Sequence, residues 1–384
     1  MVEAARRLVV AGVTTRPLAV SAARAGWKVT AADAFGDLDL LSRARVLTLG
    51  APGAPFEPAA AARAARGVSA AFAAYTSSFE NHPDAVAALA RGRRLLGNSP
   101  AVLRRVRDPL ALMRTLGGLG LETPLTRAAP PRAPLDRDRR WLLKPRRSGG
   151  GHGTSPWRPG RRVGRHQYLQ ERIPGRPGSV VVLADGRDAH VLGISRQLVG
   201  RPEFGARGFR YCGSLMGPDL FSAEQALHRR TQALAAAVAR GFGLVGLNGV
   251  DFIARSGIPW PIEVNPRFSA SMELLERGAG LSLFALHAAA CAGQLPGRAT
   301  PWLSRVHGKA IVYARRDVTP RATRRWLADP AMADIPPPGQ RIARGRPICT
   351  VFATGRDAES CTRALVAKAR SVYRALEPAA GGVA

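Results

Sequence analysis

The sequence predicts an α/β protein, and three observations carry that prediction. Single strand-like and helix-like segments alternate over residues 1–100, β-like segments dominate residues 141–265, and residues 300–384 add further strands and a final helix. Alternation of one strand with one helix is typical of a parallel sheet, so residues 1–100 are expected to form a Rossmann-like domain. The middle of the chain, where strands follow one another, is expected to be of α+β type.

The N-terminal elements follow from apolar runs bounded by turn residues. Strands are predicted at 8–13, 28–32, 46–49 and 70–75, and helices at 17–25, 58–66 and 84–91. The turn after the first strand, residues 11–16, lacks the full Gly-x-Gly-x-x-Gly pattern, so dinucleotide binding is poorly supported. The loops at the strand ends suit the binding of a substrate as well as a purely structural role.

Two helices are expected within residues 100–123, with a break at Asp108-Pro109, and a Pro- and Arg-rich loop is expected at 128–140. Further strands are predicted at 141–145, 167–173, 180–184, 190–199, 210–215, 309–314 and 348–353, and helices at 223–240, 282–292 and 359–376. Gly241 is expected to end the helix at 223–240. These elements divide the chain into four predicted units, 1–100, 101–175, 176–298 and 299–384, of which the last is a small α+β lobe.

The formal charge of +30 comes almost entirely from arginine and is spread along the whole chain. A nucleic-acid-binding protein favours a concentrated basic patch with interleaved aromatic residues, and the densest basic group, residues 137–140, is short. Specific binding of nucleic acid is therefore not expected. Positive charge spread in this way still attracts polyanions nonspecifically and suits anionic substrates.

The cysteines and the apolar segments indicate a cytoplasmic protein. No Cys-x-x-Cys pair occurs among the four cysteines, which argues against a zinc site and a disulfide scaffold. No apolar run approaches the ~20 residues needed to span a bilayer, and residues 8–13 suit a buried strand better than a signal peptide. No membrane association is expected.

The segment 248–267 carries the most specific functional pattern. Two short apolar runs flank a turn centred on Gly257, which is typical of a β-hairpin. If the hairpin is symmetric about this glycine, Asp251 and Glu263 are cross-strand neighbours on one face, and Asn265 points the same way. The apolar residues assigned to the opposite face are Val250, Phe252, Ile262 and Val264. Two carboxylates and a carboxamide suit Mg²⁺, with Mn²⁺ as an alternative, whereas the simpler interpretation is a half-exposed hairpin with ordinary surface acids.

A second functional element is the glycine-rich segment 146–154, which follows Lys144 at the end of an apolar strand. Four glycines in five residues let backbone N–H groups approach an anion closely, as in phosphate-binding nests. The segment is not a Walker A motif, because no Gly-Lys-Ser/Thr follows. Lys144 is predicted to bind phosphate because the chain has only four lysines; a solvated lysine beside a flexible surface loop is the alternative.

The order of these features resembles the ATP-grasp superfamily of carboxylate–amine ligases. That order is a Rossmann-like front domain, a lysine before a Gly-rich flap, a hinge strand, and an Asp … Glu-x-Asn-Pro-Arg block, which here is Asp251 with residues 263–267. The resemblance covers residues 8–295 and implies a two-lobed ATP-grasp domain with a trailing lobe.

Carried over residue by residue, the resemblance implies that Asp251, Glu263 and Asn265 bind Mg²⁺. Arg267 would stabilise the transferring phosphoryl group, and Lys144 would contact the phosphates of ATP. The flap residues implied to close over these phosphates are Ser148, Gly149, Gly150, Gly151 and Gly153. The hinge residues implied to hold the nucleotide are Gln170, Glu171 and Ile173, for which a plain amphipathic strand is the alternative.

Two positions depart from the family pattern. Many members carry a further ATP-binding lysine in an Asp-Lys pair before the flap, whereas Pro109 follows Asp108 here, which leaves Arg107 as the candidate substitute. The acidic residue that often holds ribose is also absent, since its place falls near Pro177. Among the histidines, His152 in the flap is expected to be solvated and His287 to be a core residue.

Residues 268–273 and 308–310, with the strand that leads to residues 33–35, are similar to a subgroup of ligases predicted in one-carbon-metabolising bacteria and related to archaeal tyramine–glutamate ligases. This resemblance implies a role in building a methanofuran-like or tetrahydromethanopterin-type cofactor.

The implied reaction joins a small-molecule carboxylate to an amine at the expense of Mg·ATP, through an acylphosphate. A homodimer is compatible with this interpretation. Two alternatives remain open. One is a catalytically degenerate scaffold that acts as a basic binding protein, and the other is an enzyme that activates bicarbonate, as biotin carboxylase does.

Overall fold

The computed structural model describes residues 6–49, 56–128, 131, 135–136, 138–221, 224–297 and 303–377. Its first unit is a parallel five-stranded sheet in the order β3-β2-β1-β4-β5. The strands are β1 Arg7–Gly12, β2 Lys28–Asp33, β3 Arg45–Thr48, β4 Phe72–Tyr75 and β5 Arg94–Leu95, and the helices are α1 Arg16–Arg24, α2 Leu38–Leu41, α3 Pro58–Ala64 and α4 Pro83–Ala90. The central strand β1 is buried on both faces because helices cover them, and the predicted Rossmann-like sheet is confirmed.

Two helices connect this sheet to a small antiparallel one. They are α5 Pro100–Val106 and α6 Pro109–Gly118. The predicted break between them has a clear cause: the Asp108 side chain accepts hydrogen bonds from the N–H groups of Leu110 and Ala111, and Pro109 occupies the first turn of the new helix. The small sheet has the order β6-β9-β7-β8 and consists of β6 Thr126–Ala128, β7 Trp141–Pro145, β8 Ser155–Pro156 and β9 Gln167–Glu171.

The largest sheet has eight strands in the order β14-β13-β10-β11-β12-β15-β17-β16. Its strands are β10 Arg176–Asp185, β11 Ala189–Val199, β12 Tyr211–Met216, β13 Val245–Arg255, β14 Ile258–Asn265, β15 Val306–Tyr313, β16 Met332–Ala333 and β17 Pro347–Gly355. Its helices are α7 Glu224–Phe242, α8 Met272–Ala279, α9 Leu283–Ala290 and α10 Ala358–Ala375. The C-terminal strands therefore continue the same sheet that holds the hairpin, and the predicted boundary at residue 299 falls between strands of one sheet.

Alternate residues of β10 show how this sheet is covered. Val180 and Val182 belong to a core that α7 and α10 complete, whereas Val181 and Leu183 belong to a second core that includes α1, α8 and α9. The second core also contains residues of β1 and β2, so the N-terminal sheet packs against the large one. On this same face the apolar residues give way to the polar Ser179, where β10 reaches a large cleft.

One helix prediction needs correction. Helix α7 does not end at Gly241 but continues to Phe242, and Gly243 ends it instead. Gly243 has a φ of 70°, and its N–H and that of Leu244 both donate to the Ala239 carbonyl, which is a left-handed helix cap. The predicted helix start at Ala223, and much of the predicted loop 128–140, lie outside the described residues. None of the helices in the described ranges combines the length and apolar character needed to span a membrane.

Candidate active site

A cleft of about 1280 Å³ lies where the three sheets meet. Its walls carry Thr14 and Thr76 from the N-terminal sheet, Gln170 from the small sheet, and Asp251 and Lys309 from the large sheet. The site residues predicted from the sequence also line this central cleft, namely Arg107, Lys144, Ser148, Gly149, Gly150, Gly151, Gln170, Glu171, Ile173, Asp251, Glu263, Asn265 and Arg267. Gly153 alone among the predicted set does not; it packs beside Pro145 instead.

The hairpin of β13 and β14 brings the two predicted carboxylates together. Ser256 and Gly257 both have a positive φ, so they form the two-residue turn that fits the twist of paired strands. The register pairs Asp251 with Glu263, as predicted. A β-bulge follows at once, since Phe252 pairs with Pro261 rather than with Ile262.

The bulge corrects one prediction. Ile262 was assigned to the apolar face, but the extra residue turns it away from the core and it lines the cleft. Val250, Phe252 and Val264 are fully buried on the opposite side, as predicted.

Asp251 is a half-buried acid that faces a second acid. Burial, and then the charge of Glu263, raise the pKa of Asp251 to about 6, although hydrogen bonds from Ser179 and Gln197 act in the opposite direction. The Asn265 Nδ2 donates to Asp251 Oδ2 over 3.1 Å. A divalent cation between the two carboxylates would remove their mutual repulsion, so this donor set fits Mg²⁺.

The candidate metal ligands are two carboxylates and one carboxamide. The described residues contain no cluster of three His, Cys, Asp or Glu side chains able to hold a metal. The Asn265 Oδ1 accepts from Arg267 over 3.2 Å, so the carboxamide would have to rotate before this oxygen could join Asp251 and Glu263. Such oxygen-rich sets with few protein ligands are typical of Mg²⁺, which keeps water and phosphate in its other positions.

Arg267 lies beside the hairpin and forms an ion pair of 2.7 Å with Glu80, whose side chain is 1% exposed. The charge of Arg267 outweighs the effect of burial and lowers the pKa of Glu80 below its ordinary value. Among the described residues that line the cleft, three buried polar atoms have no hydrogen-bond partner: Glu80 Oε2, Arg267 Nε and Ser269 Oγ. Since all three residues line the cleft, these atoms point to a polar ligand there.

Arg107 follows α5 and connects three parts of the site. Its guanidinium donates to Glu263 Oε1 over 2.6 Å, to Asn81 Oδ1 over 2.9 Å and to the Ser148 carbonyl over 2.9 Å. Burial alone would lower the pKa of Arg107, but the charges of Glu263 and Glu80 raise it above its ordinary value. Arg107 therefore neutralises one of the two hairpin acids in this structure.

The small sheet forms the opposite wall. Lys144 Nζ donates to Gln170 Oε1 over 3.0 Å and lies 5.5 Å from the ring centre of Tyr168. In the hinge, the Glu171 N–H donates to the Leu125 carbonyl and its carboxylate binds Arg139. The N–H of Ile173, in contrast, has no protein acceptor within the described residues and lies at the cleft.

The flap, residues 146–154, is closed onto the loop before β12. The Tyr211 N–H donates to the Gly150 carbonyl over 3.0 Å. A Cβ on Gly151 would lie 1.9 Å from the Phe209 carbonyl oxygen, and this glycine has a φ of 74°. Both facts explain why glycine is needed at residue 151.

Several cleft residues escaped the sequence analysis. Glu80 and Asn81 come from the short 3₁₀ turn Phe79–Asn81, and Ser269 follows the hairpin. At the far side of the cleft, Glu273 holds Arg16 and Lys309 in buried ion pairs of 2.6 and 2.8 Å. The scarcity of acids in this chain was the available signal, but nothing in the neighbouring sequence indicates that Glu80 or Glu273 is buried.

The remaining candidates agree with their predicted places. His287 is buried, where its Nδ1 accepts from the Leu247 N–H over 2.9 Å and its Nε2 faces the Leu96 carbonyl. His152 is exposed at the flap and lines the cleft. Burial raises the pKa of Cys212, Cys291 and Cys361, to about 11, about 12 and about 11, which makes them poor nucleophiles.

Comparison with known proteins identifies the segment that holds Arg107, the flap, the hinge and the hairpin. Residues 106–271 match the sequence family described as an ATP-grasp domain. An uncharacterized protein of Methanocaldococcus jannaschii is 28% identical over 117 residues, which are 30% of this chain and 28% of that protein. The matched segment thus spans little more than a quarter of this relative.

Solved structures share the fold over nearly the whole chain. L-amino acid ligase from Bacillus licheniformis has a TM-score of 0.65 and 14% identity, with 95% of this chain and 97% of that chain covered. The biotin carboxylase domain of Hydrogenobacter thermophilus 2-oxoglutarate carboxylase, solved with MgADP, ADP and bicarbonate, has a TM-score of 0.67 and 14% identity, with coverages of 97% and 90%. Pyruvate carboxylase from Rhizobium etli has a TM-score of 0.71 and 15% identity, and 93% of this chain matches 36% of that longer one.

Proposed function

We propose that this chain, which contains an ATP-grasp domain over residues 106–271, is an ATP-dependent ligase that joins a carboxylate to an amine. The observation that carries the proposal is the half-buried Asp251–Glu263 pair, which faces Lys144 and the glycine flap across one cleft. Two acids held this close in a partly desolvated site favour a divalent cation, and glycine N–H groups with a lysine favour the phosphates that accompany it.

In this proposal Asp251, Glu263 and Asn265 hold Mg²⁺, with Mn²⁺ as an alternative. The cation supplies neutralisation of the charge that develops on the transferring phosphoryl group. Lys144 and the flap hold the phosphates of ATP, and the free N–H of Ile173 donates a hydrogen bond to the nucleobase. Arg267 faces the γ-phosphate with its unpaired Nε.

The proposed chemistry has two steps. A carboxylate oxygen of the first substrate attacks the γ-phosphorus, so that an O–P bond forms and the bond to ADP breaks. The amine nitrogen of the second substrate then attacks the acyl carbon. The amide bond forms, phosphate leaves, and the nitrogen loses its proton to solvent. Positioning and electrostatics carry such a reaction, and no nucleophilic side chain is required.

The same proposal extends to the class of substrate, the cellular compartment and the assembly of the enzyme. The similarity of residues 268–273 and 308–310 to ligases of one-carbon metabolism supports substrates of the methanofuran or tetrahydromethanopterin kind, handled in the cytoplasm. The small-molecule acid and amine, and assembly as a homodimer, remain proposals with it.

The test is ADP and phosphate release from Mg·ATP with a panel of acids and amines, in which glutamate, tyramine and bicarbonate are included. Turnover that needs both an acid and an amine supports the ligase, and turnover with bicarbonate alone would favour the carboxylase. Neither turnover nor binding of Mg·ATP would favour the degenerate scaffold.

Glu263→Gln sharpens this test because it removes one ligand charge and nearly preserves the volume. We expect turnover to fall about a thousandfold while the denaturant midpoint stays close to wild type. Glu203→Gln, which disturbs only a surface ion pair with Arg201, is the matched control. Wild-type activity in Glu263→Gln would refute the metal assignment.

A further inference from the structure

Three basic side chains, His152, Arg210 and Arg346, line one end of the central cleft without an acidic partner. Within the described part of the chain, neither arginine forms an ion pair with a carboxylate, and the Arg346 guanidinium has no hydrogen-bond partner. Burial, and then the charges of Arg210 and Arg346, lower the pKa of His152. His152 is therefore close enough to both arginines for their charges to act on it.

The sheet order explains why the two arginines meet. Strands β12 and β17 both run antiparallel to β15, so their first residues flank the last residue of β15, Tyr313. Arg210 precedes β12 and Arg346 precedes β17. The Arg210 guanidinium lies 4.5 Å from the ring centre of Tyr313 and donates to the Gly345 carbonyl over 2.7 Å. These contacts fix Arg210 next to Arg346.

The flap supplies the third basic group. The hydrogen bond from the Tyr211 N–H to the Gly150 carbonyl holds the flap against the start of β12, immediately after Arg210. His152 is carried to the arginines by this contact. The basic cluster is therefore complete only when the flap is closed, as it is here.

The two arginines of the cluster precede strands that are distant, within the sheet, from the strand that carries the predicted metal ligand Asp251. In the sheet order, β12 lies three strands from β13, which carries Asp251, and β17 lies five strands away. At ~4.8 Å per strand these separations are about 14 and 24 Å along the sheet. A phosphate beside Asp251 is thus a different group from one beside Arg346.

We propose that His152, Arg210 and Arg346 form an anion pocket that binds a second anionic group of the substrate, a carboxylate or a phosphate remote from the reacting carboxyl group. That the occupant is a substrate rests on the proposed function, whereas the pocket itself rests on the three side chains. Guanidinium groups recognise both anions through paired hydrogen bonds. The enzyme would accordingly select substrates with an additional negative charge and would discriminate against monoanionic acids of the same length.

The first experiment measures binding rather than turnover. Succinate and inorganic phosphate are titrated calorimetrically into the full chain with a non-hydrolysable Mg·ATP analogue present to fill the nucleotide phosphate sites. We expect the better-bound anion to lose about tenfold or more in affinity in Arg346→Gln and to be unchanged within twofold in Arg344→Gln. Arg344 is the matched control because it is exposed in the same loop and does not line the cleft.

The identity of the better-bound probe distinguishes a carboxylate pocket from a phosphate pocket. Partial recovery of affinity in Arg346→Lys supports a charge-based role. Equal affinity in wild type and Arg346→Gln would overturn the inference, as would the absence of binding of either probe to wild type at roughly 20 mM.

Failure of the proposed function gives a different result. Glu263→Gln should retain the anion affinity, because Glu263 is not part of the pocket. If the Mg·ATP analogue does not bind, the probes are titrated alone. The proposed ligase activity would then fail while the pocket is still tested by the Arg346 variants.

Discussion

Arg107 is the residue on which three separate segments depend. It holds Glu263 of the hairpin, Asn81 of the N-terminal unit and the Ser148 carbonyl of the flap. The resemblance to ATP-grasp ligases predicts a lysine two positions later, where this chain has Pro109. A guanidinium reaches three acceptors at fixed angles, which an ammonium does less well, so an arginine suits this connecting position.

Replacement of Arg107 by alanine should destabilise the protein, because Glu263 loses its partner while it still faces Asp251. We expect the free energy of unfolding to fall by about 2 kcal/mol without Mg²⁺, and part of this loss to be restored by Mg²⁺. Urea unfolding with and without MgCl₂ measures both effects. Arg104→Ala, in the last turn of the helix that Arg107 follows, removes an exposed ion pair with Asp84 and should change little. An equal response of both variants to Mg²⁺ would contradict the assignment.

His287 predicts a specific dependence of stability on pH. Burial lowers the pKa of His287 to about 4, and the neutral ring satisfies its surroundings because Nδ1 accepts from the Leu247 N–H. The unfolded chain binds a proton below pH ~6.5, whereas the folded chain does not until about pH 4, so stability is lost as the pH falls through this window.

Between pH 7.5 and pH 5 this histidine should cost the folded state about 2 kcal/mol. His287→Gln, which can still accept and donate, should show a correspondingly smaller loss over the same range. Denaturant unfolding at the two pH values checks this. The same pH dependence in both proteins would mean that His287 is not the titrating group.

Residues within a local motif could be predicted, and residues assembled from distant segments could not. Asp251, Glu263 and Asn265 share one hairpin, so alternation and turn position suffice to align them. Glu80 lies 187 positions before its partner Arg267 in the chain, and no local spacing connects the two. Ile262 was misplaced because a bulge depends on how two strands pack, which alternation alone does not reveal.

The flap is the element in which backbone geometry matters most. Alanine at residue 151 would bring a Cβ against the Phe209 carbonyl at a positive φ, so the flap of Gly151→Ala should not close onto β12. We expect trypsin to cleave after Arg146 and Arg147 several times faster than in wild type, and nucleotide affinity to fall about tenfold.

Gly149→Ala is the matched control, because a Cβ on Gly149 would meet no atom within 4 Å. Cleavage rates are read by mass spectrometry and affinity by titration of the Mg·ATP analogue. If both variants behave alike, the contact between the flap and Phe209 has no functional role.

Most strands and helices followed from apolar runs and turn residues, since burial of one face imposes a period on the sequence. Helix α8 was missed because it begins just after the Pro-rich end of the hairpin and is only eight residues long. Strand β5 has two residues and shows no period at all. At the end of α7 two glycines were available, and only packing decides that the helix continues through Gly241 to Gly243.

At the scale of the molecule, a buried charged network ties the N-terminal sheet to the C-terminal strands. Glu273 on α8 receives two hydrogen bonds from Arg16 on α1, of 2.6 and 2.9 Å, and one of 2.8 Å from Lys309 on β15. Burial would raise the pKa of Glu273, but the charges of Arg16 and Lys309 lower it below its ordinary value. Its contribution to stability is therefore present above about pH 4.5 and is lost as the pH falls.

Glu273→Gln should leave the buried Lys309 without a carboxylate partner, whereas Arg16 keeps its ion pairs with Asp39 and Asp334. We expect the free energy of unfolding at pH 7 to decrease by about 3–5 kcal/mol. Glu359→Gln, whose carboxylate is exposed, is the control and should change it by less than about 0.5 kcal/mol. If urea titrations show that Glu273→Gln hardly changes the free energy of unfolding, the network does not stabilise the contact between the two sheets.

The continuity of the eight-stranded sheet limits how this protein can be shortened. A version ending near residue 298 would lose β15, β16 and β17 and would leave β12 as an exposed edge strand. Its unpaired amide and carbonyl groups would then recruit strands from other molecules. A fragment truncated there is expected to aggregate rather than to fold alone. A minimal nucleotide-binding fragment should therefore retain the C-terminal strands.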